Sequence, residues 1–362
     1  MHCLSATQDG LQSQETFALV RCRVRQVSRR AAAAATMGRT MDRTDSARRL
    51  TDAELEAAGA LARRVAANVA QAAEVRADVI AHLIVAVLAE GHALIEDLPG
   101  VGKTTLARAL ARSLDLEVAR IQCTSDLLPA DVVGTNVFNQ RESRFEFRPG
   151  PIFANVVLVD EINRASPKTQ SGLLECMQER RVTVDVHTHE LARPFLVLAT
   201  QNPIEYEGTY PLPEAQVDRF MVRLSLGYPD PAGEAGMLAA HESGDRVARL
   251  EPVADAAEVL AAQDATTRVH ASEPLRRYIV ALLGHTRADP RVELGASPRA
   301  GLLLLRAAKA HALLAGRDHA IPDDIQQMSQ SVLAHRIVLA PDAYETSGEQ
   351  VVADAVTATP AL

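Results

Sequence analysis

The sequence predicts an α/β fold, in which a parallel sheet with helices on both faces precedes a smaller all-α domain. Two apolar runs, at residues 155–159 and 195–199, have the β-branched and leucine-rich composition of strands that are buried on both faces. A third unit, at residues 92–111, combines an apolar run, a glycine-containing loop and a helical pattern. After about residue 228 the strand-like runs end, and an alanine- and leucine-rich helical periodicity continues to about residue 340.

This pattern divides the chain into four segments. Residues 1–45 are arginine-rich and lack the apolar core of a secretory signal, so we expect a disordered tail. A mis-called start is the alternative, because Met37 and Met41 lie just before the first organised helix. The α/β core with its leading helices is expected at 46–228, the helical domain at 229–342, and a loose tail of small and polar residues at 343–362.

The loop of the third unit has the composition of a phosphate-binding loop. Glycines let backbone amides wrap a phosphate, and the free amides at the start of the following helix add a favourable dipole. Lys103 would reach the outer phosphates, and the Thr104 hydroxyl would bind a Mg²⁺ ion that bridges them. The general pattern has glycine where this chain has Asp97, so a simple glycine turn before a helix stays open as an alternative. The candidate nucleotide-binding residues are Pro99, Gly100, Val101, Gly102, Lys103, Thr104 and Thr105.

Polar residues follow both of the apolar runs. Asp160 and Glu161 come after the first run, and Asn202 comes shortly after the second. Ligands of parallel sheets bind beyond the carboxyl ends of the strands, so Asp160 could hold Mg²⁺ at the nucleotide while Glu161 orients and deprotonates the attacking water. The amide of Asn202 could touch that water or the terminal phosphate. The alternatives are a solvated acidic turn and an Asn-Pro turn.

These motifs, in this order, resemble those of the AAA+ ATPases, and the connecting sequence resembles the MoxR family within them. The resemblance extends over about residues 79–336. It implies a P-loop AAA+ core followed by a lid domain, with ATP and Mg²⁺ bound, and Asp97 is typical of the loop in this family. The segments that carry the resemblance are 96–104, 160–165, 199–205, 207–220 and 295–300.

The resemblance also implies roles for three polar residues. It makes Asn202 the first sensor, Arg219 an arginine finger inserted into a neighbouring subunit's site, and Arg299 the second sensor on the lid. An arginine supplied by a neighbour can accelerate phosphoryl transfer by about 10³- to 10⁵-fold, because it neutralises charge on the transferring group. The alternatives are a surface salt bridge of Arg219 with Asp218 or Glu214, and a helix-start arginine at position 299.

The function that the resemblance implies is ATP hydrolysis with Mg²⁺, which drives chaperone-like remodelling, maturation or activation of a client protein complex. The implied partners are further copies of the chain in a hexameric ring, and a protein with a von Willebrand factor A domain. Two alternatives are the ATPase subunit of a metal-chelatase-like complex and a non-hydrolysing, nucleotide-dependent scaffold. The intact set of motif residues argues against the scaffold.

Composition argues against several other classes of protein. The net charge of -8, without a basic run in the core, gives no reason to expect a nucleic-acid partner. The apolar run at 79–89 is far shorter than the ~20 residues that span a bilayer, so no integral membrane segment is expected. The cysteines have neither paired nor metal-type spacing, which predicts reduced thiols in a cytoplasmic protein. They are Cys3, Cys22, Cys123 and Cys176.

Two hairpins are expected between the motifs. One contains Phe145 and Phe147 in a run with strand period, and we expect both rings to pack on their own hairpin. The resemblance places this hairpin as an insertion in the core's second helix, on the axial side of the ring, where a client could bind. The other hairpin is expected at 182–192, where His187 and His189 could share a metal ion but are more simply exposed residues at its tip.

Overall fold

The computed structural model describes residues 49–97, 100–202, 209–228, 245–343 and 345–360, together with residues 231 and 233. The predictions for residues 1–45, for Cys3 and Cys22 within them, and for Pro99 lie outside these ranges.

The order of helices and strands is that of an α/β core followed by helices. The helices are α1 (Asp52–Ala70), α2 (Ala77–Leu88), α3 (Lys103–Ser113), α4 (Pro129–Val133), α5 (Pro167–Glu179), α6 (Glu214–Val217), α7 (Ala256–Arg268), α8 (Glu273–Ala288), α9 (Pro298–Leu314), α10 (Pro322–Leu333) and α11 (Gly348–Ala358). The strands are β1 (Ala93–Glu96), β2 (Val118–Gln122), β3 (Gly134–Asn139), β4 (Arg144–Pro149), β5 (Val156–Asp160), β6 (Arg181–Val184), β7 (His187–Glu190), β8 (Leu196–Gln201), β9 (Val222–Leu224), β10 (Val292–Leu294) and β11 (Val338–Leu339).

One parallel sheet has the strand order β2-β5-β8-β1-β9. β8 lies between β5 and β1, so that Ala199 stands beside Val159 and Gln201 stands beside Glu96. Because the strands run in one direction, all their carboxyl ends share one edge of the sheet. We call this the carboxyl edge, where β1, β5 and β8 end, and the opposite side, where they begin, the amino edge.

The strands at the centre of the sheet send alternate side chains into two cores. In β8, Leu196 and Leu198 face a core shared with α1, α2, α3 and the later helices, whereas Val197 and Ala199 face a core shared with α5. All four side chains are buried. Helices therefore cover both faces of the sheet, which confirms the predicted fold class.

The helices after residue 255 pack on one another and on the two leading helices. α9 packs against α7, α8 and α10, and also against α1 and α2, while α10 contacts β9. This region also contains a short antiparallel ribbon of β10 and β11. The sequence did not predict the ribbon, because strands of two or three residues are too short to show a period.

The prediction of a loose tail after residue 342 is wrong. Ser347 caps the start of α11, and this helix packs against α8 and α10. It buries Val351 and Val352 completely and Ala355 almost completely. The small and polar composition of the segment concealed these residues, which form an apolar stripe at helical spacing.

Both expected hairpins form, β3–β4 and β6–β7, and they contact each other. The Phe147 ring stacks on His189 with centroids 4.0 Å apart, and the Asn136 amide donates a hydrogen bond of 2.6 Å to Asp185. Phe147 therefore packs beyond its own hairpin, and His189 is partly buried instead of exposed at a tip. The expectations are confirmed for Phe145, whose ring packs edge-on against Phe138 of its own hairpin, and for His187, which is exposed. They are wrong for Phe147 and His189, because the sequence does not show that the hairpins are neighbours. Among the described residues, no three or more His, Cys, Asp or Glu side chains cluster so that they could hold a metal ion together.

Two further expectations concern thiols and the membrane. Cys123 and Cys176 are free and buried, and burial raises the pKa of Cys123 to about 12 and that of Cys176 to about 11. None of the helices in the described ranges has the combined length and hydropathy that a bilayer-spanning segment requires.

Candidate functional site

A glycine loop and the start of α3 form one wall of the candidate site. Gly100 and Gly102 have φ angles of +87° and +92°, in the left-handed region that other residues rarely adopt. A Cβ at either position would meet no atom of the described residues within 4 Å, so these residues leave the space beside the loop open. Gly102 is the N-cap of α3, and no side chain of the described residues caps this end. The first amides of α3 are therefore available to an anion.

Lys103 is the first residue of α3. Its Nζ donates a hydrogen bond of 2.7 Å to the Asp97 backbone carbonyl. Burial lowers the pKa of Lys103, whereas the nearby carboxylates of Asp97, Asp160 and Glu161 act in the opposite direction. The fold thus brings Lys103 within electrostatic range of both acids at the end of β5.

Asp160 is the last residue of β5 and is buried. Its Oδ2 accepts a hydrogen bond of 2.6 Å from Arg120 Nε, and its Oδ1 accepts one of 3.3 Å from the Thr200 hydroxyl. The Thr200 oxygen in turn accepts a hydrogen bond of 3.0 Å from the Glu161 backbone N–H. Thr200 therefore fixes both acids relative to β8.

Glu161 has φ 56° and ψ 50°, a left-handed conformation that costs a non-glycine residue roughly 1–3 kcal/mol. It turns the backbone from β5 into a 3-10 turn at Ile162–Arg164. The Glu161 carboxylate accepts hydrogen bonds from the side chains of Gln122, at 3.1 Å, and Arg164, at 3.2 Å. A partly exposed carboxylate held in this way can bind a water molecule and accept its proton.

Arg120, Gln122 and Thr200 are contacts that sequence reasoning missed. The first two lie on β2, whose residues are paired with those of β5, so that Gln122 stands beside Asp160. Arg120 and Gln122 are polar residues at alternate positions of one strand, so their side chains share a face of the sheet. This pattern cannot indicate a contact with Asp160 and Glu161 until the order of the strands is known. Thr200 could have been found from the sequence, because it is a polar residue at the end of a buried apolar run.

Asp97 replaces the glycine of the general loop pattern for a structural reason. Its side chain is buried, and its Oδ2 accepts hydrogen bonds from the Leu226 N–H at 2.5 Å, the Gly227 N–H at 2.8 Å and the Ser225 hydroxyl at 3.3 Å. These three residues follow β9. The carboxylate thus ties the chain that enters the loop to the segment that leaves the sheet.

The carboxyl edge has oxygen atoms that are suitable ligands for a Mg²⁺ ion. Asn202 is buried directly after β8, between the loop that follows β1 and the acids that end β5. Thr104 and Thr105 lie in the first turn of α3 and are partly exposed. Mg²⁺ prefers oxygen ligands and is usually bound by only one or two protein carboxylates. The carboxylate of Asp160 and the hydroxyl of Thr104 fit this preference.

Arg219 and Arg299 lie away from the carboxyl edge. The Met221 N–H donates a hydrogen bond of 2.8 Å to the carbonyl of His92, which directly precedes β1. Arg219, two residues before Met221, is therefore at the amino edge, whereas Lys103 follows the other end of β1. The structure does not bring either arginine to the loop of the same chain.

Arg299 lies beside the residue that precedes Arg219. Its Nε is 3.6 Å from Asp218 Oδ2, and both arginines line a cavity of about 640 Å³ between the amino edge and α9. In the described part of the chain, no carboxylate lies within ion-pair distance of Arg219. Asp218 pairs with Arg299 and Arg336, so the surface salt bridge of Arg219 with Asp218 or Glu214 does not form.

Two family models match the chain. The model described as "ATPase family associated with various cellular activities (AAA)" matches residues 92–222, and the one described as "AAA lid domain" matches residues 284–355. The first match covers β1, β2, β5 and β8 of the sheet and the carboxyl edge, and it ends at the first residue of β9. The second covers most of the later helices and includes the greater part of α11, where the sequence predicts a loose tail.

Several proteins are similar over most of their length. YeaC of Bacillus subtilis is 52% identical over 260 residues, which are 72% of this chain and 81% of YeaC. Chaperone MoxR1 of Mycobacterium tuberculosis is 40% identical over 273 residues, or 73% of this chain and 72% of the relative. Protein MoxR of Methylorubrum extorquens is 33% identical over 301 residues, or 76% and 87%.

The fold has a close match among solved structures. A crystal structure of a protein from Cytophaga hutchinsonii superposes with a TM-score of 0.81 at 37% identity, covering 86% of this chain and 97% of that one. Three observations indicate the same family: the relatives, the two family models, and the arrangement of the glycine loop, the two acids and the lid. The chain therefore belongs to the MoxR family of AAA+ ATPases.

Proposed function

We propose that this protein hydrolyses ATP with Mg²⁺ and uses the reaction to remodel, mature or activate a client protein complex. The observation that supports this most is the meeting of the glycine loop, the acids Asp160 and Glu161 at the end of β5, and Asn202 at one edge of the sheet. Open amides and Lys103 suit phosphates, and Glu161 suits a water molecule. The proposed nucleotide contacts are Pro99, Gly100, Val101, Gly102, Lys103, Thr104, Thr105 and Asp160.

In the proposed reaction, Glu161 orients a water molecule and takes its proton as the water oxygen attacks the terminal phosphorus and the bond to ADP breaks. The left-handed backbone at Glu161 and its hydrogen bond to Thr200 fix the direction of this carboxylate. Asn202 would contact the water or the terminal phosphate, and Lys103 would place a positive charge at the outer phosphates. When bound, Mg²⁺ held by Asp160 and Thr104 would neutralise charge on the phosphate oxygens.

We further propose that the site is completed by a neighbouring subunit. The four residues of β1 span about 13 Å and separate Arg219 from Lys103 within one chain. Arg219 as the arginine finger, and Arg299 as the second sensor, would therefore act on the nucleotide of the next copy. Such a contact joins two different faces and closes into a ring, for which we propose a hexamer.

Steady-state hydrolysis, combined with light scattering in ATP and Mg²⁺, tests this function. We expect the wild-type protein to turn over ATP and to assemble, and Lys103→Ala to lower the rate by about 10²-fold or more, because the site loses a preorganised positive charge. Lys168→Ala is the matched control, since this exposed lysine of α5 lies outside the site. Wild-type rings that do not hydrolyse ATP would contradict the proposal and favour the scaffold.

Exposed apolar side chains on the two hairpins support contact with a client. Phe138 is 49% exposed, Phe145 69% and Val186 86%. Exposed apolar groups gathered on neighbouring elements are typical of protein-binding surfaces, and a relative of this chain is named a chaperone. We propose that the client binds here and that a protein with a von Willebrand factor A domain takes part. If no such protein co-purifies with the assembled ATPase, the partner proposal fails.

Replacing Phe145 with serine tests the client surface. We expect about 10- to 100-fold weaker binding of an unfolded probe, reduced and carboxymethylated α-lactalbumin, because burying a phenylalanine contributes about 1.5–3 kcal/mol. Binding is measured by fluorescence anisotropy, and ATP hydrolysis should stay unchanged. The control is Val280→Ser, which alters an apolar residue of α8 with a similar exposed fraction, 65%. Equal probe affinities for the two variants would argue against the hairpins.

A further inference from the structure

A buried arginine, Arg336, holds the chain on both sides of Arg219. Its side chain is 3% exposed, and its Nε donates a hydrogen bond of 2.7 Å to Asp218 Oδ1. Its Nη2 donates to the backbone carbonyl of Asp218 at 3.0 Å and to that of Phe220 at 2.6 Å. A single guanidinium thus contacts both neighbours of Arg219 in the sequence.

The carboxylate of Asp218 is shared between two arginines of the lid. Oδ1 pairs with Arg336, and Oδ2 lies 3.6 Å from Arg299 Nε. Arg299 and Arg336 come from different elements, the start of α9 and the 3-10 turn that follows α10. The position of Arg299 is therefore linked to that of Arg219 through Asp218.

Arg336 and Arg219 line different cavities. Arg219 and Arg299 line the cavity of about 640 Å³, whereas Arg336 and Asp218 line a separate cavity of about 560 Å³. Arg336 does not line the cavity into which Arg219 faces. It is placed to act on the geometry of Arg219 and not on a ligand there.

Stability alone gives a weak reason for a charge at this position. Burial lowers the pKa of Arg336, and the adjacent Asp218 acts in the opposite direction. Buried ion pairs often stabilise a fold no more than apolar residues of similar volume would. What a guanidinium adds here is a rigid fork that fixes several acceptors at once, which lysine cannot reproduce.

We propose that Arg336 is a positioning residue, which acts with Asp218 to set the direction of Arg219 and Arg299 towards the triphosphate of a neighbouring subunit. This inference rests on the proposed function, in which both arginines act between subunits. Arg336 would thereby link the lid to the segment 218–220, which carries Arg219. Its guanidinium belongs to the lid, and the hydrogen-bond acceptors in Asp218 and Phe220 lie just before β9.

Kinetics of Arg336→Lys and Asp218→Asn test the assignment. Both should lower kcat by about 10- to 100-fold, because a displacement of about 1 Å of a charge-stabilising group has effects of this size, and leave KM for ATP within about twofold. Melting temperature and light scattering show whether each variant folds and assembles. Arg317→Lys is the matched control, since Arg317 forks onto the buried Asp324 elsewhere in the lid. It should keep the wild-type kcat.

Mixed rings separate a defect in the supplied arginine from a defect in the nucleotide site. When Arg336→Lys is mixed in equal amounts with Lys103→Ala, about a quarter of the interfaces pair an intact loop with an intact segment 218–220, which carries Arg219. ATPase activity should therefore return to about a quarter of the wild-type value. The mixture of Arg336→Lys with Arg219→Ala should show no return, because every interface of an intact loop then lacks a working finger. If Arg336→Lys does not fold, Asp218→Asn takes its place in both mixtures.

The mixture of Lys103→Ala with Arg219→Ala is the reference. If the reference shows no return although rings form, action between subunits is wrong and the role of Arg336 is overturned with it. If the reference recovers but Arg336→Lys does not recover with Lys103→Ala, only the role of Arg336 is overturned. The role of Arg336 is also overturned if Arg336→Lys and Asp218→Asn both have the wild-type kcat, or if Arg317→Lys loses as much kcat as these two variants do.

Discussion

Arg219→Ala is expected to lower kcat for ATP hydrolysis by about 10³- to 10⁵-fold, with little change in ATP affinity. Arg219 lies at the amino edge, so it takes no part in binding nucleotide to its own loop. Its charge would matter only when the phosphoryl group is in transfer, which is where differential stabilisation raises kcat. The measurement is steady-state hydrolysis together with equilibrium binding of ATP.

The control for this variant is Arg277→Ala, which removes an exposed lid arginine that pairs with Glu273. It should leave both kcat and ATP affinity unchanged. An equal mixture of Arg219→Ala with Lys103→Ala should regain activity at about a quarter of its interfaces. Loss of ATP binding in Arg219→Ala, or no recovery in mixed rings whose assembly is confirmed, would show that Arg219 does not act on a neighbour.

Glu161→Gln is the second change for which we expect a large effect, a loss of hydrolysis by about 10²- to 10⁴-fold with ATP binding retained. Glutamine has nearly the same shape and can keep contacts with Gln122 and Arg164, but its amide cannot take a proton from water. Single-turnover hydrolysis measures the chemical step apart from product release. Equilibrium binding of ATP then shows whether the site is otherwise intact.

Glu179→Gln is the matched control, because Glu179 is an exposed carboxylate that pairs with Arg181 at the end of α5. It should hydrolyse ATP at the wild-type rate. A wild-type rate in Glu161→Gln would place the base elsewhere on the carboxyl edge. Loss of ATP binding in Glu161→Gln would assign Glu161 to holding the nucleotide and not to activating water.

The residues of the carboxyl edge could be predicted because each stands at the end of an apolar run, or directly after it, and that run identifies a strand from its own sequence. An apolar run predicts a buried strand, and parallel strands end at one edge whatever their order. Asp160, Glu161 and Asn202 could therefore be placed together without knowing which strands are neighbours. The contacts of Arg120 and Gln122 could not, because they depend on the pairing of β2 with β5, which is a long-range event.

The α/β core, the helical lid and the residues of the carboxyl edge are visible in the sequence, since each follows from a local pattern of apolar, glycine and polar residues. Three features are visible only in the folded chain: α11 packs on the lid, Phe147 stacks on His189, and Arg219 and Arg299 lie together at the amino edge. Arg336 and Asp218 are 118 positions apart in the chain. Such contacts arise when the lid packs against the start of β9, and no local period of the sequence records that packing.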